Sequence, residues 1–262
     1  MTAKPILYHG EPNGPSLTAL AAAFEKQVAL DLRPIDLAAG DRHAAAMPQD
    51  VEVAMSIEGE GPVLLVDGVA MTDSVFLACY FDEIGTGPAL RPADPYARWD
   101  MMAWCRYVIE RVAPAAAFLG TQAHLAPALV AIDDDAFAGL TGAIVSTDLA
   151  DRWRAVRSGD YPDARIADSR DKIGQAVTRI EAQLGDGRDW LMGPFGIADL
   201  ESYAWLAGMV ALVPSAFEAA PRTRDWLARV KARPSVTRAL SLARTAAPQD
   251  VWAPGPEINR WG

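Results

Sequence analysis

Between Gly61 and Ser74 the chain reads GPVLLVDGVAMTDS, an order of residues that few local structures can accommodate. Pro62 has no N–H to give to a sheet ladder. It suits the first residue of a strand or an edge, where a cis bond can hold the backbone open. Val63 to Val66 and Val69 to Met71 flank Asp67-Gly68, a dipeptide that strongly encodes a two-residue hairpin turn. Thr72, Asp73 or Ser74 can cap the helix VFLACYFDEI that follows. The free N–H groups of its first turn, with the helix dipole, suit a carboxylate ligand. On shape alone, an ordinary hairpin and cap is the simpler reading.

The rest of the chain sets that segment in an α/β half. Ile6 to Tyr8 reads as a short strand, and a Gly/Pro/Asn loop leads to SLTALAAAFEKQ, with Leu17, Leu20, Ala21 and Phe24 on one helical face. A second strand over Ala29 to Ile35 makes a strand-helix-strand unit with a right-handed crossover. All eight tryptophans lie at or after Trp99. The Gly/Pro-rich stretch from Gly85 to Pro95 therefore separates two compositions and marks the domain boundary.

Beyond it the pattern is helical. Arg98 to Phe118 carries apolar stripes, with Pro114 as a kink or late break. Arg170 to Leu184 and Arg222 to Ala232 are amphipathic, Ala198 to Val213 is apolar nearly all round, and Pro234 opens a last helix. The Pro/Gly-rich tail after Thr245 reads as an extended arm.

Composition excludes some function classes. A formal charge of -10, with no cluster of Lys and Arg, argues against a nucleic-acid partner. The longest apolar run, Tyr203 to Val213, is too short to span a bilayer, and no leader pattern opens the sequence, so a cytoplasmic protein is expected. Cys79 and Cys105 lack metal-like spacing and read as reduced core residues. His9 and His124 have no metal-ligating companions, so no metal is expected.

The order of these parts resembles the glutathione S-transferase superfamily. Ser16 at the first helix start, Pro62 at the position of the family's cis-proline, Asp73-Ser74 at its γ-glutamyl site and GPFGIADL from Gly193 to Leu200 carry the resemblance. That last stretch is similar to the family's capping box, with Gly196 in the cap position and Asp199 closing the box. The stretches LRPADPYARWDMMAWCRYVIE, from Leu90 to Glu110, and RWRAVRSG, from Arg152 to Gly159, together with TDS and ADL, are similar to the bacterial lignin β-etherases of this superfamily.

The resemblance implies a thioredoxin-like α/β N-terminal domain over residues 1–86, a linker over 87–95 and an all-α domain over 96–262. It implies glutathione as co-substrate, whose thiolate attacks the β-carbon of a β-aryl ether and releases a phenol. It also implies a homodimer, or a heterodimer with a homologous chain. In this reading Ser16 stabilises the thiolate, with Asn13 as a helper; equally, Ser16 only caps its helix. Gly61 and Pro62 would pair with the cysteinyl unit. Asp73 would take the γ-glutamyl ammonium, and Ser74 its carboxylate.

Trp104, Tyr107, Phe118, Trp153, Tyr203 and Trp205 are candidates for an aromatic substrate wall, Tyr107 and Trp104 foremost. Aromatics at helical spacing are more commonly core. Trp252 in the tail either covers the pocket or packs elsewhere. Glu58 and Glu60, with Asp50 and Glu52, stand where relatives offer cations to the glycyl carboxylate, and Arg42 or His43 would have to compensate. That departure keeps a non-catalytic partner subunit open as a second function, with a general glutathione S-transferase as a third.

Overall fold

The computed structural model describes residues 4–44 and 61–255. The acidic stretch containing Asp50, Glu52, Glu58 and Glu60 lies outside the described residues. The first half builds strand β1 (Ile6–His9), helix α1 (Gly14–Glu25), β2 (Asp31–Pro34), β3 (Val63–Val66), β4 (Val69–Met71) and helix α2 (Ser74–Ile84). The sheet order is β2-β1-β3-β4. β1 runs parallel to β2, pairing Leu7 with Leu32, and antiparallel to β3, pairing Leu7 with Leu64.

The hairpin closes where the Asp-Gly dipeptide predicts, because Asp67 (φ 48°) and Gly68 (φ 83°) both take the left-handed conformation such a turn needs. The second strand is shorter than the predicted Ala29 to Ile35. No peptide bond among the described residues is cis. The Gly61–Pro62 bond is therefore trans, which corrects the expectation for Pro62, and the proline opens β3 simply as a residue with no ladder N–H to lose.

The second half is helical: α3 (Pro95–Tyr107), α4 (Ala113–Gly120), α5 (Ala126–Val130), α6 (Asp134–Gly142), α7 (Thr147–Ser158), α8 (Asp163–Gln183), α9 (Ile197–Leu206), α10 (Met209–Leu212), α11 (Pro214–Glu218), α12 (Pro221–Lys231) and α13 (Pro234–Leu240). The predicted helix from Arg98 to Phe118 is a continuous helical path, but a π turn at Val108–Val112 separates α3 from α4. Pro114 sits in the first turn of α4, where its missing N–H costs no bond, so the break precedes the proline.

One apolar core joins the two halves. It runs from Leu7, Leu20 and Phe81 through Trp104 and Val112 to Trp205 and Trp226, while a smaller cluster around Trp153 lies under α5 to α7. The linker is tied to the sheet half. Lys26 Nζ donates to Gly87 O at 2.7 Å and pairs with Asp82 at 3.1 Å. Asp82 also accepts from the Leu90 N–H and Arg91 Nε, each at 2.8 Å. Burial opposes ionisation of Asp82, but these bonds outweigh it and hold the carboxyl below its usual range.

α9 passes through the centre, buried from Ile197 to Leu206. Asp199 accepts from the N–H groups of Gly196 at 3.1 Å and Leu191 at 3.0 Å, and from Trp226 Nε1 at 2.8 Å. The acidic half of the capping box is present as predicted. The tail does not leave the body. Residues 248–255 lie against it, and Trp252 is seated beside Gly120, where a β-carbon would stand 2.2 Å from the indole. No helix among the described residues is long and apolar enough to cross a membrane, and both cysteines are free thiols.

Candidate functional site

Helix α1 begins one residue after Asn13, which is its N-cap but makes no side-chain capping bond. Ser16 is the third residue of the helix. It is therefore not the cap, which settles one of its two predicted roles. Its Oγ accepts from the Gly10 N–H at 3.0 Å. A hydroxyl that accepts on its oxygen keeps its own proton to donate, and Ser16 lines a cleft with Asn13, Gly14, Trp205, Arg244 and Trp252. An anion in that cleft would meet the hydroxyl proton and the positive end of α1.

Asn13 is turned to the tail. Its Nδ2 donates to Val251 O at 3.0 Å and Gln249 O at 3.4 Å. Its Oδ1 is buried with no hydrogen-bond partner among the described residues, and the same holds for Trp252 Nε1. The tail is anchored again where Arg244 pairs with Glu11 at 2.9 Å and donates to Ile35 O at 2.9 Å. Arg152 Nη1 donates to Gly255 O. The tail thus roofs the Ser16 cleft.

Gly61 and Pro62 are buried at the head of β3, whose Val63 pairs with Tyr8. Asp73 adopts φ 75° and caps α2, accepting from the Phe76 N–H at 3.0 Å. Burial pushes its carboxyl up, while the N–H groups of Phe76 and Val75 pull it down. Ser74 begins α2 with its hydroxyl 2.9 Å from Glu201 Oε2. Glu201 Oε1 accepts from Trp205 Nε1 at 2.7 Å.

Burial pushes Glu201 up to about 7 against the pull of Thr18, Trp205 and Ser74, and the charge of Asp73 adds to the rise. Glu201 therefore bridges the two predicted parts of the site. Thr18 is two residues beyond Ser16, and Trp205 packs on Gly14, whose β-carbon position is 3.6 Å from the ring.

The structure does not bring Trp104 and Tyr107 to this cleft. Trp104 is buried and donates from Nε1 to Ser202 Oγ at 2.9 Å. The Arg179 guanidinium stacks 4.6 Å from the Trp104 ring and 4.4 Å from that of Tyr107. Their helical spacing places them toward α8 and α9, as core aromatics.

A second aromatic pocket lies elsewhere. Phe118, Tyr161, Arg152, Arg165, Pro254 and Gly255 line a half-open pocket of about 80 Å³, and Gly255 is shared with the Ser16 cleft. Phe118 and Tyr161 lie 4.9 Å apart, and Arg165 covers the Phe118 ring at 4.7 Å. Tyr161 donates to Thr121 Oγ1 at 3.1 Å, and burial pushes its phenol up, so it stays neutral.

Sequence reasoning named Phe118, Trp205 and Trp252 but missed Tyr161, Arg165, Arg244 and Glu201. Only Glu201 carried a signal, as an acid inside a helix that is otherwise apolar all round. Arg42 and His43 are buried in a short 3-10 turn at Asp41–His43. Among the described residues no group of His, Cys, Asp and Glu is arranged to hold a metal ion.

This architecture has solved counterparts. The β-etherase LigF from Sphingobium sp. strain SYK-6 superposes with a TM-score of 0.81 at 23% identity, covering 92% of this chain and 100% of that one. Glutathione transferase F7 from Populus trichocarpa gives 0.63 at 22% identity, over 90% and 98% of the two chains. The chain has the glutathione transferase fold.

A human theta-class glutathione transferase, solved with the glutathione conjugate of 1-menaphthyl sulfate, shares this fold at a TM-score of 0.67 and 21% identity, over 97% of this chain and 95% of that one. Within the fold, the chain is similar in sequence to Protein LigF of Sphingobium sp., 26% identical over 241 residues that span 88% of this chain and 90% of that protein. No family model matches it. In this glutathione transferase fold, Ser16 stands at the start of the first helix and Ser74 at the start of the second, where Glu201 of the central helix accepts from the Ser74 hydroxyl.

Proposed function

We propose that the chain is a glutathione-dependent transferase that cleaves β-aryl ethers of lignin-derived aromatics. The carrying observation is the Ser16 hydroxyl, fixed by the Gly10 N–H and facing a cleft that shares Gly255 with an aromatic pocket. In this reading the α1 N-terminus and Ser16 stabilise the glutathione thiolate, and Asn13 holds the tail over it. Gly61 and Pro62 pair with the cysteinyl unit, while Asp73 takes the γ-glutamyl ammonium and Ser74 its carboxylate. The thiolate attacks the β-carbon of a substrate whose aryl ring lies against Phe118 and Tyr161. The C–O bond breaks, the electron pair leaves on the phenolate oxygen, and solvent protonates it.

Residues 1–86 would then bind glutathione and 96–262 the aromatic, joined by the linker at 87–95. The test is release of free phenol from a β-aryl ether ketone, followed by chromatography with and without glutathione. Phenol release that does not depend on glutathione, or none with it, overturns the reading. Phe118→Ala is expected to raise KM for the ether about tenfold, from loss of buried ring contact, with KM for glutathione unchanged.

Dimerisation with a second copy of this chain belongs to the same reading. Phe76 and Trp99 are exposed, 58% and 61% respectively, and flank a groove with Met102 and Ile109. Contiguous apolar surface of this kind marks an interface. Sedimentation of the purified chain should give a dimer that Phe76→Glu converts to monomer; a wild-type monomer at all concentrations would remove this part of the proposal.

A further inference from the structure

The pocket at Phe118 and Tyr161 is lined by more than apolar surface. Pro114, Ala117 and Val156 join Phe118 on its apolar side, while Thr121, Arg152, Asp160, Tyr161 and Arg165 supply polar groups. Most of the donors are already engaged. Thr121 donates to Ala117 O at 2.7 Å, Tyr161 donates to Thr121 Oγ1 at 3.1 Å, and Arg152 is held by Gly255 O and by Asp148 at 3.1 Å. Arg165 is different. Its guanidinium lies over the Phe118 ring at 4.7 Å, yet none of its five N–H groups meets an acceptor among the described residues.

The place of Arg165 in the chain sharpens the point. It is the third residue of α8, in the first turn, where the helix macrodipole favours an acid and disfavours a cation. Nearby acids do not neutralise it. Asp168, three residues on, pairs with Lys172 at 2.6 Å, and Asp160, the one carboxylate lining the pocket, forms no ion pair with Arg165. The stacking on Phe118 therefore holds an uncompensated guanidinium beside an aromatic pocket. Burial pushes the Tyr161 phenol up, and the charge of Arg165 is near enough to oppose it.

We propose that Arg165 is a specificity-determining residue, and that the ring bound against Phe118 and Tyr161 carries a carboxylate. The substrate class is then a β-aryl ether with a benzoate-type ring, whose carboxylate accepts from paired N–H groups of Arg165. The inference rests on the reading of this pocket as the aromatic half of the ether site. A phenol is neutral near pH 7 and a carboxylate is not, so the carboxylate is the group that a bare guanidinium selects. The formal charge of -10 repels anions at long range, which leaves their affinity dependent on a local cation.

The probes are 3-methoxybenzoate and its methyl ester, which share a ring and differ in charge. Calorimetric titration at neutral pH reads their binding without turnover. Wild-type protein should bind the acid about tenfold more tightly than the ester, the yield of a charge-assisted pair that stays partly in solvent. In Arg165→Gln that preference should vanish while the ester binds as before, and Arg165→Lys should keep part of it. Phe118→Ala should weaken both probes together, because it removes the ring contact that they share. Equal binding of acid and ester by the wild type, or a preference that survives in Arg165→Gln, overturns the inference. So does absence of binding by either probe. Glutathione-dependent phenol release from a neutral ether ketone is measured separately, so the etherase reading stands or falls without this one.

Discussion

Ser16→Ala is expected to lower kcat/KM for the aryl ether about a hundredfold, the cost of losing one aimed donor at a developing or resident anion. The Ser16 oxygen accepts from the Gly10 N–H, so its proton is left for the cleft. Removing the hydroxyl takes that donor from the thiolate and leaves the Gly10 N–H unpaired, which costs about 1 kcal/mol of stability. The two losses are separable. The thiol of bound glutathione, titrated by its ultraviolet thiolate absorbance, should move up toward its free-solution value in the variant. A variant that loses stability but keeps both the rate and the thiol titration would show that Ser16 serves only the fold.

The hairpin was legible residue by residue, because Asp67-Gly68 demands two left-handed conformations that few other turns require. Helices α8, α12 and α13 were legible to within a few residues at most of their ends, as their apolar faces repeat at helical spacing and prolines mark the starts of the last two. Ser16 was misread as a candidate cap. Gly14 and Pro15 look like loop residues, yet Pro15 occupies the first turn, where no N–H is required.

Trp104 and Tyr107 could not be sorted from Phe118 by period alone. All three lie on apolar helical stripes, and what separates core from pocket is the π turn at Val108–Val112, which re-aims α4. Arg244 escaped notice as a site residue, and Trp252 was left between covering the pocket and packing elsewhere, because a Pro/Gly-rich tail carries no periodicity and its docking over Gly120 is a property of the fold alone. Glu201 was the readable omission. A carboxylate inside a helix predicted to be buried all round must have partners, and Ser74 and Trp205 supply them.

Asp199→Ala is expected to cost about 4 kcal/mol and to lower Tm by roughly 10 °C, the largest stability effect anticipated for one side chain here. Three donors lose their acceptor together, namely the N–H groups of Gly196 and Leu191 and the Trp226 indole. None can turn to water, since Asp199 and Trp226 are fully buried.

The same geometry explains why the cap position holds glycine. The Ile197 N–H donates to Leu90 O at 3.1 Å, and a β-carbon on Gly196 would stand 2.5 Å from that oxygen. The linker carbonyl occupies the place of a capping side chain. Gly196→Ser, ordinarily a gain at a helix start, should therefore destabilise as well.

A pH series distinguishes the carboxylate from its surroundings. Burial raises Asp199 from 3.8 to about 6 in the folded protein, so the folded state holds this proton more tightly than the unfolded chain. Its contribution is full below the unfolded value and is lost as pH rises to about 6. Urea denaturation of the wild type should show that decline, and in Asp199→Ala the decline should be reduced by this group's share while the Glu201 share remains. An unchanged slope in the variant would mean that Asp199 is ionised throughout and that its three donors alone account for its place in the core.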